Sequence, residues 1–257
     1  MLFQHYIFFG QNIIKNMNIA LIGYGRMGKE IEDIALRRGH TITCKISSEN
    51  LNDFNPRVLQ WADVAIEFST PESAYKNIKQ CIDIGLPVIS GTTGWLNKKD
   101  EIDQYCLSKN SSFLYASNFS IGVNIFFEIN KVLASLMEKY EVYDVDITEI
   151  HHTGKLDKPS GTAISLAKDI IEKLSRKKVW TITHPEERNS RNLYIESIRK
   201  DPAPGTHIVK YSSEIDDLEI IHTAHSRKGF ATGAVLAAEW LPGKRGIFTM
   251  KDVLEIN

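Results

Sequence analysis

The segment Glu149-Ile150-His151-His152-Thr153-Gly154-Lys155-Leu156-Asp157-Lys158-Pro159-Ser160-Gly161-Thr162-Ala163 puts two histidines and two lysines within eight positions, then opens a helix with Ser-Gly-Thr. Imidazoles titrate near neutrality and can move protons. Lys155 adds a compact cation that can hold a carboxylate or deliver a proton. The first N–H groups of a helix have no intrahelical partner and attract anions. His151 and His152 follow a strand predicted over Tyr143–Ile150, whose side chains alternate between faces. One histidine can therefore serve as acid or base while the other touches a ligand. Ser160 suits the cap of a helix predicted over Ala163–Leu174, with Gly161 and Thr162 at its open end. Singly, these are ordinary surface histidines, loop lysines and a common helix start. Together they describe a site that holds a carboxylate and moves a proton. Asp157 and Lys158 read as loop charges.

No metal is expected. His222-x-x-His225 and His151-His152 do not form HExxH, and no cysteine accompanies them. His222 and His225 read as strand-end or interdomain residues.

A second group opens the chain. Gly23, Tyr24, Gly25, Arg26, Met27 and Gly28 spell G-x-G-x-x-G between a predicted strand, Asn18–Ile22, and a helix with Met27, Ile31, Ile34 and Ala35 on one face. In that setting the first glycine allows a tight turn, the second admits a pyrophosphate, and the third lets helix pack on strand. Arg26 adds a positive charge near the phosphates. After the second strand, Thr41–Ile46, an acid would hold the ribose of NAD. Ser47 and Ser48 stand there, with Glu49 just beyond and Lys45 near enough to meet a 2′-phosphate. The residues therefore leave NADH and NADPH both open, and use of both is expected. Gly91, Thr92 and Thr93, and again Ser117, Asn118, Phe119 and Ser120, follow strands at the end where ligands of doubly wound sheets bind, although plain turns would look the same.

These residues need a frame to position them. Strand and helix patterns alternate through residue 116: strands at Trp61–Phe68, Leu86–Ser90 and Ser112–Ala116, helices up to Ile84 and from about Asn97 to Lys109. This predicts an open, doubly wound parallel sheet. Beyond Asn118 come a long helix (Ile121–Tyr140), the Tyr143–Ile150 strand, the Ala163–Leu174 helix, and strands at Val179–Thr183, Leu193–Arg199, Thr206–Ser212 and Leu218–Ala224. That run predicts a mixed or antiparallel sheet in an α+β unit. A last helix covers Gly229–Trp240. The expected ligand cleft lies between the two halves.

Composition excludes several classes. The 257 residues carry a net charge of −1, with 42% apolar and 25% charged side chains. Nothing in that balance favours nucleic acid or a membrane surface. Three scattered cysteines make no disulfide framework, so a reducing, cytoplasmic setting is expected. Residues 1–16 fit neither a signal peptide nor a spanning helix, and read as an extension upstream of a natural start at Met17, the alternative being an extra strand or a poorly ordered arm.

From Met17 to about Trp240 the chain resembles the 4-hydroxy-tetrahydrodipicolinate reductase family of the diaminopimelate route to lysine. The resemblance rests on Gly23–Gly28, Gly91-Thr92-Thr93-Gly94, Asn118–Asn124 and above all His151 to Ala163. It implies His151 as acid/base residue, Lys155 as proton donor, and His152, Gly161 and Thr162 as holders of a cyclic dicarboxylate. Gly23–Gly28, Gly91–Thr93 and Ser117–Ser120 would bind NADH or NADPH, with Arg227 and Phe230 on a segment returning beside it. Ser47 takes the place of the family's usual acid. The family further implies a dinucleotide domain of residues 17–119 and 228–257, a substrate and oligomerisation domain of 120–227, and a homotetramer. The rivals are another two-domain NAD(P)-dependent oxidoreductase and a non-catalytic dinucleotide sensor. The His151–Ala163 segment argues against the first, and retention of the proton-transfer pair against the second.

Overall fold

The computed structural model describes residues 16–182 and 188–256. The expectation for the leader falls on residues 1–16, of which 1–15 lie outside the described residues, as does Thr183, the expected end of one strand. Along the first half run β1 (Asn18–Ile22), α1 (Arg26–Arg37), β2 (Thr41–Ile46), α2 (Pro56–Leu59), β3 (Val64–Glu67), α3 (Pro71–Asp83), β4 (Val88–Ser90), α4 (Lys99–Ser108) and β5 (Ser112–Tyr115). The second half holds α5 (Ile121–Met137), β6 (Asp144–His151), α6 (Gly161–Lys173), β7 (Val179–Thr181), β8 (Asn192–Arg199), β9 (Gly205–Ser212) and β10 (Asp217–Ala224). The chain closes with α7 (Lys228–Trp240), β11 (Gly246–Phe248) and α8 (Met250–Val253).

Among the described residues the strands form two sheets. The first is all parallel, in the order β11-β5-β4-β3-β1-β2. Its strands are apolar on both faces because helices cover both. Ile19 and Leu21 point to the face carrying α1 and α7, where Ile31, Ala35, Ala231, Ala234 and Ala238 pack. Ala20 and Ile22 point to the other, against Ala74, Ile78 and Ile82 of α3 and Ile102 and Cys106 of α4. Small residues let α7 come close: a Cβ on Gly233 would sit 1.7 Å from the Phe119 carbonyl oxygen.

The second sheet has the order β10-β9-β6-β8-β7. β9 runs antiparallel to β6 and β10, whereas β8 is parallel to β6 and β7. The sheet is therefore mixed. α5 and α6 cover one face, burying Phe126, Ala134, Leu166 and Ile170 against Val145, Ile147, Leu193 and Val209.

One expectation is corrected, and one strand was not anticipated. The strand predicted from Trp61 begins only at Val64, and Trp61 is 69% exposed. Asn55 accepts hydrogen bonds from Arg57 and Val58 and caps α2, so the chain turns through Trp61 before it extends. The expected C-terminal helix is followed by β11, an unforeseen sixth strand that pairs with β5. At three residues, one of them glycine, it carries no readable period.

Candidate active site

Because the first sheet is parallel, the loops after β1, β3, β4 and β5 emerge at one edge. The glycines of the first loop divide the work. Gly23 has φ +96°, and a Cβ there would lie 2.0 Å from the Phe68 carbonyl oxygen. A Cβ on Gly28 would lie 2.4 Å from the Gly23 oxygen. At Gly25 a Cβ would meet nothing within 4 Å. The first and third glycines thus serve the turn, while the second leaves open backbone at the head of α1, where a pyrophosphate fits. Met27 packs into the core, and Arg26 is exposed at the first turn of α1.

At the end of β2, Ser47 is drawn into its own loop: its N–H and hydroxyl both donate to Asn50 Oδ1, at 2.8 and 3.1 Å. Lys45 pairs with Glu32 at 2.5 Å, and the Tyr24 hydroxyl also donates to Glu32. The positive charge considered for a 2′-phosphate is already balanced by an acid of α1.

The loops after β3 and β4 are tied together by Glu67, fully buried, which accepts from the Ser69 N–H, Ser90 Oγ and Thr92 Oγ1 at 3.0, 2.6 and 3.0 Å. The Thr92 side chain therefore faces inward, and Thr93 is the residue of this turn that lines the cleft. After β5, Ser117 and Asn118 line the cleft, whereas Phe119 is buried against Phe68 and Ser120 caps α5. A Cβ on Gly91 would strike the Phe68 ring at 2.3 Å.

The opposite wall comes from the second sheet. A cleft of about 440 Å³ is bounded there by His151, His152, Lys155, Gly161, Thr162 and His207, with Arg227 and Phe230 closing one side. Each has a structural reason for its place. β6 carries Glu149 and His151 on its buried face by strand alternation. His152 turns the chain, its N–H donating to the Ala203 carbonyl at 2.8 Å and its carbonyl accepting from the Lys155 N–H at 3.1 Å. Ser160 caps α6 by accepting from the Ala163 N–H at 3.2 Å, leaving Gly161 and Thr162 at the cleft edge. Thr162 Oγ1 accepts from Asn118 Nδ2 at 3.3 Å and joins the two walls.

Five participants were not foreseen. Asp157, read as a loop charge, lines the cleft and pairs with Lys155 Nζ, two residues before it, at 2.7 Å. Burial works against the Asp157 charge, but Lys155 outweighs it and holds its carboxyl below the usual range. Glu149, Arg199 and His207 form a layer beneath His151. Sheet register brings them there: Glu149 lies opposite His207, and His151 opposite Arg199. Glu149 lies 3.7 Å from His151 Nε2, which is 3.4 Å from His207 Nε2. Burial opposes the Glu149 charge, yet hydrogen bonds from Ser160 and the neighbouring His151 keep its carboxyl below its ordinary value. Burial pushes His151 down, Glu149 pulling it part of the way back. His207 is pushed down to about 3 by burial and by His151, so it stays neutral. His222 also lines the cleft, beside Gly122 and Phe126.

A parallel sheet with a glycine turn open for a dinucleotide, facing a wall of histidines, lysine and a helix N-terminus, defines a two-part NAD(P)-dependent oxidoreductase. Residues 17–119 match the family model described as dihydrodipicolinate reductase, N-terminus, and residues 122–254 the one described as dihydrodipicolinate reductase, C-terminus. The chain belongs to the dihydrodipicolinate reductase family. It is 52% identical to the 4-hydroxy-tetrahydrodipicolinate reductase of Christiangramia forsetii over 93% of this chain and 98% of that one. The Neisseria meningitidis serogroup B reductase is 32% identical over 88% of this chain and 84% of its own. In fold it resembles the dipicolinate-bound dihydrodipicolinate reductase of Paenisporosarcina sp. TG-14, with a TM-score of 0.73, 19% identity, and coverage of 95% of this chain and 100% of that one.

Proposed function

We propose that the chain reduces 4-hydroxy-tetrahydrodipicolinate to tetrahydrodipicolinate with NADH or NADPH, in the diaminopimelate route to lysine. The observation that carries this reading is the cleft in which His151, Lys155 and the start of α6 face Thr93, Ser117 and Asn118. When bound, the reduced nicotinamide supplies the hydride that goes to C4 of the conjugated cyclic imine. The open backbone at Gly25, the Gly91–Thr93 turn and the Ser117–Ser120 loop hold the dinucleotide, with Arg227 and Phe230 beside it. Lys155, His152 and the free N–H groups at Gly161 and Thr162 hold the two ring carboxylates, since charge-assisted hydrogen bonds suit a dianion. Lys155 exchanges Asp157 for substrate as it does so. His151 and Lys155 manage the proton that goes to C3 and the one that leaves with water. Because Glu32 neutralises Lys45, neither coenzyme is excluded at the ribose.

The dinucleotide domain comprises residues 17–119 and 228–257, and the substrate domain residues 120–227. The packing of α7 and β11 on the first sheet supports this division. The enzyme is a cytoplasmic homotetramer assembled through the mixed sheet; the uncovered face there, where Ile221 is 56% exposed, supports that assembly. No described helix is long and apolar enough to cross a membrane.

The test supplies the condensation product of pyruvate and aspartate semialdehyde and follows nicotinamide absorbance with NADH and with NADPH. Consumption with both coenzymes is expected; none with either would overturn the reading. Light scattering tests the tetramer.

A further inference from the structure

Glu149 is 0% exposed, an expensive place for a carboxylate. A purely packing role would be met as well by an apolar residue of similar size. Its partners are informative. Oε1 accepts from Arg199 Nη1 and Nη2 at 3.2 and 3.3 Å. Oε2 accepts from the Ser160 N–H at 2.9 Å and lies 3.7 Å from His151 Nε2 and 3.9 Å from His207 Nε2. Arg199 reaches onward, donating to the carbonyls of Lys155 at 3.3 Å and Asp157 at 2.6 Å. One ion pair, buried on its Glu149 side, thus touches the strand that carries His151, the loop that carries Lys155, and the residue that caps α6.

We propose that Glu149 is a positioning residue, whose carboxylate supports the charged form of His151 and, through Arg199, sets the shape of the Lys155–Asp157 loop. This rests on the reading of His151 and Lys155 given above. The groups facing His151 are Glu149 on its own strand, Arg199 on β8, His207 on β9, and Lys155 and Asp157 on the loop. His207 is neutral. Lys155 and Arg199 both oppose a proton on His151, whereas Glu149 favours one, helped by a hydrogen bond to the Pro204 backbone. With the Glu149 charge removed, Arg199 would stand unbalanced beside the imidazole.

The test compares pH profiles of turnover for the full-length enzyme and three variants: Glu149→Gln, Glu149→Asp and Arg199→Lys. Activity that needs a proton on His151 is lost as pH rises through its pKa. In Glu149→Gln that limb should move to lower pH by about one unit, with turnover at neutral pH down at least about tenfold and NADH affinity unchanged. Glu149→Asp should restore part of the limb. Arg199→Lys keeps a positive charge beside Glu149 but loses the planar fork. It should leave the limb in place while raising KM for the dicarboxylate about tenfold, as expected from lost hydrogen bonds that shape the loop. A Glu149→Gln protein that binds NADH normally with an unmoved limb would overturn the role in His151's charge. If that variant does not fold, wild-type KM in Arg199→Lys would overturn the role in the loop. Wild type and His151→Ala serve as controls: full turnover in His151→Ala would remove the underlying reading instead of this one.

Discussion

His151 and Lys155 are four positions apart but differently held, His151 in a packed layer and Lys155 on a loop against Asp157. His151→Ala or Lys155→Ala should lower turnover by roughly 100-fold or more through lost proton transfer, with NADH titration unchanged; wild-type turnover in both would remove the assignment. His207 gives a second expectation. Its pKa lies near 3 in the folded protein against an ordinary 6.5. Between those values the unfolded chain binds a proton that the folded chain does not, so stability falls as pH drops below 6.5 and is level above it. The slope from this residue reaches at most about 1.4 kcal/mol per pH unit. His151 and His222 are also pushed down and act in the same direction. Urea unfolding at pH 7 and 5.5 should show a smaller loss in His207→Gln than in wild type. At this scale the sequence was legible where the site is local. His151, Lys155, Gly161 and Thr162 share one segment, and a helix start or a strand end has a short-range signature. Glu149 shares that segment too, and its place two residues before His151 puts it on the same face. Arg199 and His207 were not legible, because only the pairing of β6 with β8 and β9 brings them near.

Among the elements, the β1–α1 turn separates residues that build from residues that bind. Gly23→Ala would force a side chain onto a backbone oxygen at positive φ and should cost about 2 kcal/mol or more of stability. Gly25→Val should melt like wild type yet fail to bind NADH, because its side chain would occupy only the ligand's space. Normal NADH titration of Gly25→Val would end the fingerprint reading. The same distinction runs through the other loops: Thr93, Ser117 and Asn118 face the cleft, while Thr92, Phe119 and Ser120 hold those loops in shape. Motif spacing marks such a loop without telling its lining from its supports. Long elements were legible because their apolar periods are unambiguous; α2, β11 and the turn at Trp61 were not, because each is too short to show one.

Across the whole molecule, the nucleotide half is completed by the far end of the chain. α7 fills one face of the first sheet and β11 extends it. A protein ending at residue 227 should therefore lose NADH binding and the cooperative unfolding transition, measured by fluorescence titration and circular dichroism. Retention of both would show that residues 17–119 suffice. Asn118 with Thr162, and Lys251 with Glu128 at 2.6 Å, add polar ties between the two halves.

The return of α7 also orders events on the ribosome. The apolar row of Ile19, Leu21, Ile66, Ile89 and Leu114 is synthesised early, but its cover of Ala231, Ala234, Val235 and Ala238 emerges more than a hundred residues later. At about 5–20 residues per second, that row waits at least several seconds without its partner. The first-made half of this protein is then the last to be finished, and a nascent chain stalled in its second half would present that row to chaperones.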